Sequence, residues 1–173
     1  MTNQILSLGS GAYFIFLGVL LFSRGMDFFS TWVATPNLAL EGNPIAKWMG
    51  WRCGILFNIV FCGSIAVWPL PAIMVSAMSL LVAARNFQSA WMMRSMGEAT
   101  YSLFIHERLM AAHPALFVFC IAAQSFLTGI VGFGIMYVTD ERSIAFAIGA
   151  GIASYAFAVL FFSVLSIWRL RRA

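Results

Sequence analysis

Five stretches of this chain are each long and apolar enough to cross a bilayer, and that constrains the fold more than any other feature. A crossing helix needs about 20 mostly apolar residues to match a hydrocarbon layer of ~30 Å. The windows cover about 5–33, 44–68, 71–96, 114–138 and 143–168. In lipid no water satisfies backbone amides, so each window must form a helix that satisfies its own. Charge points the same way. Of 173 residues 62% are hydrophobic and 9% charged, against about 25% charged in an average soluble domain. Soluble, disordered and disulfide-stapled classes are excluded. The expectation is an all-α polytopic integral membrane protein, one transmembrane helical domain over 1–173.

Proline and its neighbours mark the ends. Pro36 stops the first window. Asn43-Pro44 pairs a good N-cap with proline at the first helical position, where its missing N–H costs nothing. Pro69 and Pro71 punctuate the second connection, and Pro114 opens the fourth window. A break near Arg24-Gly25 in the first window stays open at this level. Met-Thr-Asn-Gln has no basic region, so the first window is expected to be a retained span and not a cleaved signal.

Five spans put the 1–2 connection, the 3–4 connection and the C-terminus on one side. That side carries Lys47, Arg52, Arg94, Arg108, Arg169, Arg171 and Arg172, the other Arg142 alone. The positive-inside rule then predicts N-out, C-in, with the basic side cytoplasmic in a bacterial or archaeal inner membrane. Trp32, Trp48, Trp51, Trp91 and Trp168 fall near that side and Trp68 at the other, as an interfacial belt requires. The net charge of +4 forms no basic stripe of the kind nucleic acid needs, so lipid and not nucleic acid is the expected partner.

Between the third and fourth spans, about 98–112 repeats Tyr101, Phe104, Ile105, Leu109 and Ala112 at helical spacing. This predicts a short amphipathic helix, lying on the inner leaflet or docking a partner. Ala145, Gly149 and Ala153, with Ala147 and Gly151 beside them and Gly129 and Gly132 in the preceding span, predict close helix packing. That packing serves either the chain itself or an oligomer.

The polar residues converge. Asp27 and Thr31 share a helix face, and Arg24 reaches Asp27 from one turn earlier. Counting ~1.5 Å per residue brings Arg24, Asp27, Thr31, Glu41, Asn43, Arg85 and Asn86 to the same end of the bundle, with Asn58 deeper. Ionisable groups at such depth pair or line wet cavities, so these eight form the candidate cluster, binding or structural. Arg85 is expected to tie Asp27 or Glu41.

The D-x-x-S-T pattern at Asp27–Thr31 with E-x-N-P at Glu41–Pro44 resembles an uncharacterised domain-of-unknown-function family of small prokaryotic membrane proteins. The resemblance covers about residues 15–60. It implies that Asp27, Thr31, Glu41, Asn43 and Pro44 form one structural unit, and it carries no activity.

Catalytic and metal motifs are missing from the sequence. His106 and His113 lie seven apart, too far for two ligands of one zinc on a single helix. Cys53, Cys62 and Cys120 are odd in number and unclustered, which fits small hydrophobes. There is no phosphate loop, nucleophile elbow or lipid-phosphotransferase run of Asp. No catalytic residue, metal ligand or cofactor is assigned. The leading reading is a non-catalytic membrane-embedded subunit or binding protein, working as a homo-oligomer or with a membrane-protein partner. The alternatives are a small ion or solute channel with an inner polar vestibule, and an intramembrane enzyme acting on a lipid at the inner leaflet.

Overall fold

The computed structural model describes residues 5–170, apart from the side chains of Pro114, Arg169 and Leu170. Arg171 and Arg172, which entered the sidedness argument, and the first four residues, which entered the retained-span argument, lie outside the described residues. Six helices follow one another: α1 (Gly11–Ala34), α2 (Pro44–Ile65), α3 (Pro69–Met96), α4 (Glu98–Ala111), α5 (Pro114–Val138) and α6 (Ile144–Leu170). All but α4 are long and apolar enough to span a bilayer, and no strand occurs among the described residues. The protein is an all-helical, multi-pass membrane protein.

Local chemistry explains the boundaries. α1 begins at Gly11 and not at Ile5, because Ser10 caps it, its hydroxyl accepting from the Tyr13 amide at 3.2 Å. Before the cap Gly9 takes φ 81°, and the Leu6 amide donates to the Val67 carbonyl at 2.9 Å, tying the entry segment to the α2–α3 turn. The helix then runs unbroken through Arg24-Gly25. α2 opens as expected, with the Asn43 side chain accepting from the Ile45 amide at 3.0 Å and Pro44 in the first turn. It is kinked at Gly50, whose φ of 64° and ψ of −175° are not helical; that conformation suits glycine, which has no Cβ to clash. α2 closes at Ile65, three residues short of Trp68, where the chain turns into α3.

Packing runs in series. α5 lies on α6, α6 on α3 and α3 on α1, while α2 leans on α1 and α3 more lightly and α4 touches α3. Lipid removes most of the hydrophobic drive between helices, so close backbone approach and polar bonds must hold them. The small residues supply the first. A Cβ on Gly132 would stand 2.7 Å from the Gly149 carbonyl oxygen, and one on Gly151 2.6 Å from the Met74 carbonyl oxygen. The two small-residue strips of α6 are thus used within the chain, one against α5 and the other against α3. On α3, Ala72, Ser76, Ser79, Ala83 and Ala90 are buried. A core of Leu20, Cys62, Ala66 and Ala72, flanked by Tyr13, Phe16 and Leu17, closes the end near the Trp68 turn.

Candidate functional site

Arg24 gathers the first three helices at one point. Its Nη1 donates to Asp27 Oδ2 at 2.8 Å, an ion pair within one turn of α1, and to Ser79 Oγ on α3 at 3.3 Å. Its Nε donates to Asn58 Oδ1 on α2 at 2.7 Å. Asn58 in turn donates from Nδ2 to the Gly54 carbonyl at 2.8 Å, which fixes the amide with its oxygen toward Arg24. Both charged side chains are largely shielded, at 26% and 15% exposure. Phe28 adds a ring 5.9 Å from the guanidinium and lies against Gly54, where a larger residue would meet it.

One turn further, Asn86 on α3 donates from Nδ2 to Ser30 Oγ at 3.2 Å and to Thr31 Oγ1 at 3.1 Å. Ser30 donates its own proton to the Asp27 carbonyl at 2.8 Å. Arg24, Asp27, Asn58, Thr31 and Asn86 are therefore brought together. Glu41 and Asn43 sit in the connecting loop, the Glu41 carboxylate accepting from the Asn43 amide at 2.7 Å while Asn43 caps α2. Trp51 secures the same loop by donating from its indole to the Pro36 carbonyl at 2.8 Å.

Arg85 does not pair as expected. Asp27 is held by Arg24, and Arg85 Nη1 is buried without a hydrogen-bond partner. The reason is azimuth. Consecutive residues on a helix point about 100° apart, so with Asn86 turned to α1, Arg85 turns toward α5. There it lines a cavity of about 390 Å³ together with Gln88, Ser89, Tyr101 of α4 and Gln124 of α5, with Asn86 at its edge.

Sequence reasoning missed two members. Ser79 has only its face on α3 to betray it. Glu98, first residue of α4, accepts from Thr35 Oγ1, from the Asn37 amide at 3.0 Å and from Asn37 Nδ2 at 2.8 Å. Shielding alone would raise its carboxyl, but these bonds and one from the Ala39 amide outweigh it and hold Glu98 below the ordinary glutamate range. The α1–α2 loop is thereby braced against the α3–α4 junction, where Gly97 turns the chain at φ 78°. His106 and His113 are exposed, and no group of potential metal ligands forms among the described residues.

No family model, no curated protein and no solved structure matches this chain. Its chemistry is therefore read from the geometry. The Arg24 network ties three helices and commits its own charges; Arg85, at the wall of the cavity, holds a buried donor with no partner in the protein.

Proposed function

We propose that this is a non-catalytic membrane-embedded protein that works by binding, assembled with copies of itself or with a membrane-protein partner. One observation carries this reading: the Arg24–Asp27 centre of the candidate cluster is internally paired. Asp27 faces Arg24, and the remaining Arg24 bonds go to Asn58 and Ser79, which commits the groups a channel vestibule or a lipid-cleaving base would need free. The basic residues support an N-out, C-in orientation in a bacterial or archaeal inner membrane. The D-x-x-S-T and E-x-N-P resemblance supports treating Asp27 through Pro44 as one unit.

The test is the assembly state of the full chain released from native membranes in a mild, neutral detergent or in polymer-bounded lipid discs. Native mass spectrometry should find more than one chain, or this chain with a stoichiometric membrane partner. A lone monomer in both media overturns the reading.

A further inference from the structure

We propose that the cavity between α3, α4 and α5 binds a phosphate oxyanion through Arg85. This deepens the binding reading above and rests on it. Four observations converge on the site. Arg85 Nη1 is buried with no hydrogen-bond partner, a costly state for a guanidinium. No Asp or Glu lines the cavity, so its charge is unbalanced and cationic. The other walls bring neutral groups able to donate, the amides of Gln88 and Gln124 and the Tyr101 hydroxyl. At about 390 Å³ the space falls within the range of about 300–1,000 Å³ typical of small-ligand sites.

Depth selects the ligand class. α3 has 28 residues, about 42 Å at 1.5 Å each, and so outruns the ~30 Å hydrocarbon layer by about two turns. Counted from Pro69, about 20 residues of that layer end near Gln88, and the cavity straddles this level from Arg85 to Met93. Phosphate headgroups lie there. Gln88 and Gln124 are exposed on the outer surface of the bundle, so the cavity can be entered from the lipid side. The planar fork of arginine matches a phosphate in two-point contact, which a lysine ammonium does not reproduce. A phospholipid headgroup and a free phosphate share this chemistry.

The full-length protein in neutral detergent is titrated separately with phosphatidylglycerol, read by native mass spectrometry, and with inorganic phosphate, read by phosphorus NMR. Arg85→Gln, Arg85→Lys and Gln124→Leu are compared with the wild type, each after confirming an unchanged elution profile. The expected result is binding of one of the two probes, weakened by at least about tenfold in Arg85→Gln, as loss of a charge-assisted bond requires. Arg85→Lys should fall between, and Gln124→Leu should weaken binding with the arginine intact. Binding of the lipid assigns a headgroup; binding of inorganic phosphate alone assigns a soluble anion, and both support the proposal. Equal binding by wild type and Arg85→Gln, or by none, overturns it. So does an acidic membrane protein that co-purifies only when Arg85 is present and excludes both probes. Should Arg85→Gln and Gln124→Leu both fail to fold, Arg85→Lys decides alone: affinity equal to wild type then overturns the two-point contact. The same spectra separate this inference from the assembly reading. A lone chain carrying Arg85-dependent phosphate sinks the assembly reading only, and an assembled chain without it sinks this one only.

Discussion

Glu98 does the work of a cap for a loop it does not belong to. Its carboxylate collects Thr35 and Asn37 from some sixty residues earlier in the chain, and those bonds favour the ionised form. A folded value below the ordinary 4.5 means the bracing is complete above about 4.5 and fades as pH falls through the lower folded value. Glu98→Gln should therefore make the α1–α2 loop easier to cleave by protease at neutral pH. The gap between variant and wild type should close under acid, measured with an acid-active protease on the purified protein; a gap that never narrows as the pH is lowered would contradict the assignment. The Arg24–Asp27 pair was readable in advance, because the two lie one turn apart on one helix; the bonds of Asn58 to Arg24 and of Asn86 to Ser30 and Thr31 were not, since they join different helices. Glu98 was not, since its donors are remote and its position reads equally well as an ordinary acidic first turn. Arg85 pairs with neither Asp27 nor Glu41, against the expectation from the sequence. A sequence gives depth along a helix axis, whereas the direction a side chain takes depends on which neighbours surround that helix.

At the scale of helices, close approach substitutes for the hydrophobic drive that lipid cancels. α5 and α6 touch where Gly132 faces Gly149 and Ala153, so tightly that a Cβ would fall within 2.7 Å of backbone atoms. Gly132→Val should force the pair apart and destabilise the protein by about 1–3 kcal/mol or more, the usual cost of overpacking. Gly134→Val, at a position with nothing within 4 Å, should cost far less. Thermal unfolding of both variants in the same detergent checks the contrast, and equal loss would mean that helix propensity and not contact is being measured. The composition of these strips was legible, and so was the rule that small residues mark helix contacts. Which contacts they serve was not, because a chain and its oligomer draw on the same letters. The Gly50 kink in α2 escaped for a related reason: a lone glycine inside an apolar run is usually tolerated within a regular helix, and only its φ of 64° reveals that here it is not.

At the scale of the molecule, five spanning helices separate the short Thr139–Arg142 connection from the end that carries α4. The proposed orientation places Glu141 outside and Glu107 inside. With Cys53, Cys62 and Cys120 replaced, Glu141→Cys should react with a membrane-impermeant maleimide in intact cells, while Glu107→Cys should react only after lysis; both positions are exposed, so access to solvent is not limiting. The reverse pattern would invert the orientation. The Arg24–Asp27 ion pair bears on how such a molecule is made. Its two members lie three residues apart on a single helix, so they enter the bilayer from the insertion machinery already neutralising each other. Asn58 and Ser79 join afterwards, as later helices emerge, and fasten a pair that has no need of them to be tolerated in lipid. Arg85 arrives with no such travelling companion on its own helix.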